Sequence, residues 1–169
     1  NILKKAKILY LNYPNNPTAA FASAEFLKEA IEFCKKNNLI LVYDAAYNEI
    51  YYDEKPVSFL SLPGAKDVGI EFNSLSKTFN MTGWRVGWAC GNKELISALS
   101  KVKENIDSGV FEAIQFAGIE ALTNSKKSIV EMREIYKKRM NLFVNGLKEV
   151  GFDVKFPKGT FYLWLKVNK

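Results

Sequence analysis

The sequence contains no histidine among its 169 residues. For this chain, that absence excludes catalytic triads, metal sites and acid–base steps that depend on an imidazole. Cysteine is also scarce, because only Cys34 and Cys90 are present and they lie far apart in apolar surroundings. This predicts free, buried thiols in a reducing compartment rather than a disulfide framework. The sequence shows neither an apolar run long enough to span a bilayer nor a signal-peptide pattern.

The net charge is +6, but arginine is rare and most of the 24 basic residues are lysines scattered over predicted helices. They form no stripe with interleaved aromatic residues, so we expect no nucleic-acid partner. An apolar content of 48% with 25% charged residues is typical of a soluble globular protein. The chain begins at Asn1, without a methionine, and enters a strand-like stretch almost at once. We therefore expect it to be a piece of a longer protein.

Four short, mostly apolar runs predict buried strands of a sheet that is covered on both faces. These runs are Ile8 to Leu11, Leu39 to Tyr43, Val68 to Phe72 and Trp84 to Cys90. A helical pattern lies between the first two strands, where Ser23 is a good N-cap and Lys35, Lys36 and Asn37 form a helix ending. A strand, a helix and a strand at this spacing indicate a βαβ unit. The predicted fold class is therefore α/β with a mostly parallel sheet flanked by helices.

The second half of the chain is predicted to be mainly helical. One helix follows Asn92, a second runs from about Phe111 to Leu122, and a long third one starts near Ser125 and ends at Gly151. Two further strands are predicted, over 152–156 and 160–167. We expect three parts: a partial large domain over 1–124, a connecting helix over 125–150, and the start of a small α+β C-terminal domain over 151–169.

Polar side chains follow three of the predicted strands. Asn16 comes soon after the first strand, Asp44 ends the second, and the segment with Ser74, Ser76 and Lys77 follows the third. In open α/β sheets, ligands bind outside the carboxyl ends of the strands. If the three strands are parallel neighbours, these side chains meet at one edge of the sheet.

The segment Ser74-Leu75-Ser76-Lys77 and the nearby Arg85 have the chemistry of a phosphate site. Two hydroxyls and a guanidinium are good phosphate ligands, and a lysine beside a phosphate is suited to imine formation. The alternative is a surface loop with a solvated lysine. The surrounding Gly83-Trp84-Arg85-Val86-Gly87 favours the phosphate site.

Asp44, Tyr47 and Asn16 suggest how a ring could be held at the same edge. An ionised carboxylate at the end of an apolar strand needs a partner. That partner is a helix N-terminus, a lysine or a protonated pyridine nitrogen. Tyr47 can donate its phenol proton to a cofactor oxygen, or can simply pack in the core. Asn16 can do the same with its amide, or can belong to a plain connecting loop.

Together these motifs resemble the class I/II aminotransferases of fold type I, the aspartate aminotransferase family. The resemblance extends from about Ile8 to Leu165 and rests on Asn16-Pro17-Thr18, Asp44-Ala45-Ala46-Tyr47, Ser74-Leu75-Ser76-Lys77 and Gly83-Trp84-Arg85-Val86-Gly87. The motifs occur in the family's order and at similar spacing. Ala19 differs from the glycine that the wider family commonly has after its Asn-Pro-Thr.

The resemblance implies pyridoxal 5'-phosphate as the cofactor and Lys77 as its catalytic Schiff-base lysine. It also implies that Asp44 pairs with the pyridinium nitrogen, and that Tyr47 and Asn16 hydrogen-bond the ring oxygen. The phosphate ligands would be Ser74, Ser76 and Arg85. The bond between Asn16 and Pro17 would be cis. The resemblance further implies amino-acid and 2-oxo-acid substrates, a cytoplasmic homodimer as the full-length protein, and no resident metal.

Within the family, the sequence looks most similar to the LL-diaminopimelate aminotransferases. This likeness rests on three segments: Asn15 to Ala20, Val68 to Phe72 and Ile106 to Phe111. Alanine-forming glutamate–pyruvate and aspartate aminotransferases are the alternatives. A ligand-sensing domain of a transcription regulator, or a β-lyase or decarboxylase on the same fold, would share these residues. The family's substrate-binding arginine, glycine-containing phosphate loop and ring-stacking aromatic have no counterpart here, so we expect the isolated chain to be inactive.

Overall fold

A four-stranded sheet forms the centre of the computed structural model, which describes residues 2–167. Its strands are β1 (Ile8–Asn12), β2 (Ile40–Asp44), β3 (Gly69–Ser74) and β4 (Gly87–Gly91), in that spatial order. The first three are parallel, and β4 runs antiparallel to β3. The predicted mostly parallel α/β sheet is thus confirmed. The strand boundaries differ from the predicted ones by at most three residues, and Trp84 belongs to a 3-10 turn before β4.

In the part of the chain that the structure describes, six α-helices surround or follow the sheet. They are α1 (Ala24–Asn37), α2 (Ala65–Val68), α3 (Leu75–Thr78), α4 (Lys93–Glu104), α5 (Glu112–Asn124) and α6 (Lys126–Glu149). The predicted cap of α1 is present, because the Ser23 hydroxyl accepts the Phe26 amide at 3.1 Å. At the other end, Asn38 adopts a left-handed conformation with φ 52° and closes the helix. Within residues 2–167, no helix is both long and apolar enough to cross a membrane.

The main core lies between α1 and one face of the sheet. Leu27 and Ile31 of α1 are buried against Leu41 and Tyr43 of β2, and Phe59 stacks on the Tyr43 ring with centroids 5.3 Å apart. Burial of each such side chain contributes about 1.5–3 kcal/mol. Of the two free cysteines, Cys34 is buried in this core as predicted, whereas Cys90 is only partly buried. Burial raises the pKa of both thiols.

The opposite face of the sheet is less covered than the sequence predicts. Ile8 and Tyr10 of β1 point away from α1 and are 57% and 58% exposed. Because these two side chains are exposed, the predicted burial on both faces is wrong for this end of β1. Apolar composition indicates that a face needs a cover, but it does not identify the segment that provides the cover.

The predicted strands over 152–156 and 160–167 are wrong for the part of the chain that the structure describes. A strand requires a neighbouring backbone for its N–H and C=O groups, and the only pairing here is an isolated antiparallel bridge between Tyr51 and Gly159. The close approach explains the glycine, because a Cβ on Gly159 would lie 2.4 Å from the Ile50 carbonyl oxygen. The segment is thereby attached to the loop that follows β2. The division into three parts stays a prediction.

Candidate active site

The carboxyl ends of β1, β2 and β3 meet at one edge of the sheet, as the sequence predicts. Asn12 of β1 pairs with Asp44 of β2, and Asp44 in turn pairs with Phe72 of β3, five residues before Lys77. The side chain of Asn12 connects two parts of this edge. Its Nδ2 donates to the Asp44 carbonyl oxygen at 3.2 Å, and its Oδ1 accepts the backbone N–H of Asn16 at 2.9 Å. Asn12 was not predicted as a site residue, although it directly follows the predicted first strand.

The loop that presents Asn16 contains two cis peptide bonds, Tyr13–Pro14 and Asn16–Pro17. The second was predicted and is confirmed. Ala19 adopts a left-handed conformation with φ 59°. This conformation suits glycine, which accounts for the glycine that the wider family has at this position.

Asp44 already has two hydrogen-bond donors within the chain. The Ala46 amide donates to Oδ1 at 3.1 Å, and the Tyr10 hydroxyl donates to Oδ2 at 2.9 Å. Partial burial raises the pKa of Tyr10, and the neighbouring Asp44 raises it further. Tyr10 was missed by the sequence analysis. The strand period reveals it, because Tyr10 and Asn12 are two residues apart and share a face of β1.

Tyr47 lies below this edge with only 5% of its surface exposed. Its hydroxyl is 2.7 Å from the hydroxyl of Tyr162, and the Lys77 amine lies 6.0 Å from the centre of its ring. Burial is the main cause that raises the pKa of Tyr47 well above its usual value, and the hydrogen bond with Tyr162 adds to this rise. Tyr47 therefore keeps its proton at neutral pH and can act as a hydrogen-bond donor.

Hydrogen bonds connect the segments that carry the three predicted phosphate ligands, and Thr82 links two of these ligands. Ser74 caps α3 by accepting the Ser76 amide at 3.1 Å. Thr82 donates its hydroxyl proton to the Ser76 carbonyl at 3.0 Å, and the Arg85 guanidinium donates to the Thr82 carbonyl at 2.7 Å. Arg85 adopts a left-handed conformation with φ 53°, which costs a non-glycine residue about 1–2 kcal/mol. The backbone thus holds Arg85 beside α3, while Ser76 is buried and Arg85 is exposed.

Beside β1 and β2 the surface forms a depression of about 590 Å³. It is lined by Tyr10, Asn12, Asn15, Asn16, Asp44, Ala46 and Tyr47. A carboxylate, two phenols and several amides face this space, and the Lys77 amine lies 6.0 Å from the centre of the Tyr47 ring. These groups fit an aromatic cofactor that has a protonated ring nitrogen and a ring oxygen, as pyridoxal phosphate has.

The family model described as "Aminotransferase class I and II" matches residues 1–169, the whole chain. The chain belongs to the class I and II aminotransferases. Members of this family depend on pyridoxal phosphate, which agrees with the predicted cofactor. The chain is 56% identical over 168 residues to an LL-diaminopimelate aminotransferase of Halothermothrix orenii, covering 99% of this chain and 43% of that protein. It is 50% identical over 170 residues to the enzyme of the same name from Moorella thermoacetica, covering 100% and 44%.

Solved aminotransferase-family structures share the fold. The apo structure of BacF from Bacillus subtilis matches with a TM-score of 0.94 and 42% identity, covering 98% of this chain and 42% of that one. N-Succinyldiaminopimelate aminotransferase from Mycobacterium tuberculosis matches with a TM-score of 0.85 and 32% identity, covering 91% and 40%. The chain thus spans less than half the length of the proteins that it matches.

Proposed function

We propose that the protein is a pyridoxal-phosphate-dependent aminotransferase that moves an amino group between LL-diaminopimelate and a 2-oxo acid. The observation that carries this proposal is the convergence of Lys77, Asp44, Tyr47 and Asn16 at one edge of three parallel strands. The identity of 50–56% to enzymes named LL-diaminopimelate aminotransferases supports the substrate class. Alanine or aspartate aminotransferase activity is the alternative within the family.

Asp44 would hold the cofactor from the side of β2. Its carboxylate would pair with the ring nitrogen and keep that nitrogen protonated, while the amide of Ala46 fixes the carboxylate through its 3.1 Å hydrogen bond. Tyr47 and Asn16 would donate hydrogen bonds to the ring oxygen. When bound, pyridoxal phosphate supplies an electron-withdrawing ring that takes up the electron pair released at the substrate Cα.

Lys77 would perform the proton transfers. Its amine would hold the cofactor covalently between turnovers. During turnover, Nζ would accept the Cα proton of the bound amino acid and then deliver it to the cofactor carbon that takes over the amino group. The phosphate would be held by Ser74, Ser76 and Arg85. Since Arg85 donates to the Thr82 carbonyl through Nη1, its remaining N–H groups are the ones available for a phosphate.

We also propose that the full-length protein is a cytoplasmic homodimer, as the family resemblance implies. Light scattering after size-exclusion chromatography would report twice the mass of one chain. A monomer that retains full activity would contradict this part of the proposal.

A panel of amino donors and 2-oxo acids tests the reaction and its substrate. The assay uses the full-length protein, because the chain covers only 43–44% of the relatives' length. LL-Diaminopimelate is expected to give the highest kcat/KM, above alanine, aspartate and glutamate. Lys77→Ala is expected to remove nearly all turnover with every donor. Equal or higher kcat/KM with alanine or aspartate would contradict the substrate class, and retained turnover in Lys77→Ala would contradict the reaction.

A further inference from the structure

Tyr162 lies in the segment after α6 and reaches the candidate active site. Its hydroxyl is 2.7 Å from that of Tyr47, and the two ring centroids are 5.4 Å apart in an edge-to-face arrangement. The two residues are 115 positions apart in sequence. A hydrogen bond of this kind is therefore specified by the fold and not by local chain geometry.

The backbone around Tyr162 is firmly attached to the loop after β2. The Thr160 amide donates to the Ile50 carbonyl at 2.8 Å, and the Tyr52 hydroxyl donates to the Thr160 carbonyl. Thr160 is completely buried, and its own hydroxyl accepts the Tyr162 amide at 3.1 Å. These contacts fix the backbone that carries the Tyr162 ring beside Tyr47.

The direction of the hydrogen bond follows from the proton count. Each phenol has one proton to donate, and under the proposed function Tyr47 donates its proton to the cofactor's ring oxygen. The oxygen of Tyr47 is then available to Tyr162 only as an acceptor, so Tyr162 must be the donor. A donated proton polarises the receiving hydroxyl and strengthens the hydrogen bond that this hydroxyl makes in turn.

We propose that Tyr162 is a positioning residue that donates to Tyr47 and thereby strengthens the hydrogen bond of Tyr47 to the cofactor's ring oxygen. This inference rests on the proposed function. It assigns a part in the active site to the segment after α6, which the sequence motifs do not reach. Tyr162 itself acts only through Tyr47 and need not touch the cofactor.

The other groups around Tyr47 are compatible with this arrangement. The Asp44 carboxylate, the Asn16 amide and the Lys77 amine face it, while the edge of the Phe161 ring contacts it with centroids 5.5 Å apart. Among these groups only Lys77 is a cation, and its amine lies 6.0 Å from the centre of the Tyr47 ring. Tyr162 is thus the hydroxyl that is placed to donate to Tyr47.

The experiment measures the absorbance of the bound cofactor as a function of pH in the full-length protein. Tyr162→Phe keeps the ring and removes only the hydroxyl. We expect the midpoint of the absorbance change to move to higher pH by roughly half a unit, because a weaker hydrogen bond stabilises the ring oxyanion less. Tyr47→Phe is expected to move it further in the same direction. Tyr136→Phe is the matched control, because Tyr136 packs on Phe161 while its hydroxyl donates to Asn80.

A double-mutant cycle separates a positioning role from simple packing. In the Tyr47→Phe background, Tyr162→Phe is expected to cause no further shift. An unchanged midpoint in Tyr162→Phe, a shift that persists without the Tyr47 hydroxyl, or an equal shift in Tyr136→Phe would each overturn the inference and leave the proposed function standing. Failure of the unmodified protein to bind the cofactor, or an unchanged midpoint in Tyr47→Phe, would instead overturn the proposed roles on which the inference rests.

Discussion

At the level of single residues, the candidate site combines groups with distinctive chemistry, such as Lys77 and Asp44, with tyrosines whose hydroxyls contact them or their neighbours. Lys77, Asp44 and Asn16 are recognisable because a lysine, a carboxylate and an amide after buried strands need an explanation. Tyr162 gives no such signal, since a tyrosine in an apolar stretch is ordinary core composition, and Tyr10 is marked only by sharing a face of β1 with Asn12. Their hydroxyls become informative only when the fold places them 2.9 Å from Asp44 and 2.7 Å from Tyr47.

Asp44→Asn tests the residue at the end of β2. The substitution keeps the shape of the side chain but removes the charge that would keep the ring nitrogen protonated. Losing one partner of a close charge pair costs about 2–5 kcal/mol, so turnover should fall by at least about 30-fold. Steady-state kinetics of the full-length protein measure the loss. Asp53→Asn is the control, because Asp53 is an exposed partner of Lys137 outside the site; an equal loss in both variants would contradict the role of Asp44.

At the scale of elements, the sequence predicts strands and helices whose partners are close in the chain. The β1–α1–β2 unit and α6 follow from apolar periodicity and from caps such as Ser23. The two segments after α6 were predicted as strands and are not, because a strand depends on a neighbour that local sequence does not reveal. What holds this segment is instead a bridge from Gly159 to Tyr51 and hydrogen bonds to side chains, including that of Tyr52.

Tyr52→Phe tests this attachment through the free energy of unfolding and its pH dependence. Burial, with a smaller effect of Tyr136, raises the pKa of Tyr52 to about 12 from 10. The substitution removes a donor to the Thr160 carbonyl and should cost about 1 kcal/mol below pH 10. Above pH 10, the unfolded chain loses the Tyr52 proton first, so the unsubstituted protein loses up to about 1.4 kcal/mol per pH unit through this group until about pH 12.

The stability gap of about 1 kcal/mol between the two proteins should therefore shrink above pH 10 and be gone by about pH 11, because a loss of up to about 1.4 kcal/mol per pH unit exceeds it. Urea unfolding of the full-length protein at pH 8, 10 and 11 measures it. Tyr51→Phe serves as the control. It keeps the aromatic ring, whose centre is 3.8 Å from the Arg133 guanidinium carbon, and it leaves the hydrogen bond from Tyr52 to the Thr160 carbonyl intact. A gap that stays constant between pH 8 and 11 would show that Tyr52 does not hold its proton as described.

At the scale of the whole molecule, the composition predicts a soluble globular protein, but the chain exposes many large apolar side chains. Examples lie on β1, on the segment between α4 and α5, and on α6: Ile8, Ile106, Phe111 and Leu142, at 57%, 75%, 73% and 78%. The chain spans less than half of its relatives' length. The sequence pattern shows which side chains are apolar. Whether these side chains are buried depends also on the segments of the full-length protein that lie outside this chain.

The chain expressed alone should therefore behave differently from the full-length protein. We expect it to bind a hydrophobic dye several-fold more strongly at equal molar concentration and to self-associate, because exposed apolar patches bind such dyes and each other. We also expect no measurable transamination from it. Fluorescence titration and light scattering measure the first two properties. Equal dye binding by the two proteins would show that these apolar side chains are not covered in the full-length protein.

The proposed function depends most on Lys77 as the lysine that would hold the cofactor. Treatment of the full-length protein with pyridoxal phosphate and borohydride, followed by peptide mapping, locates the modified lysine directly. We expect the reduced cofactor on Lys77, and we expect Lys77→Arg to leave the corresponding peptide unmodified. Modification mainly at another lysine, or none at all under conditions in which the enzyme turns over, would contradict it.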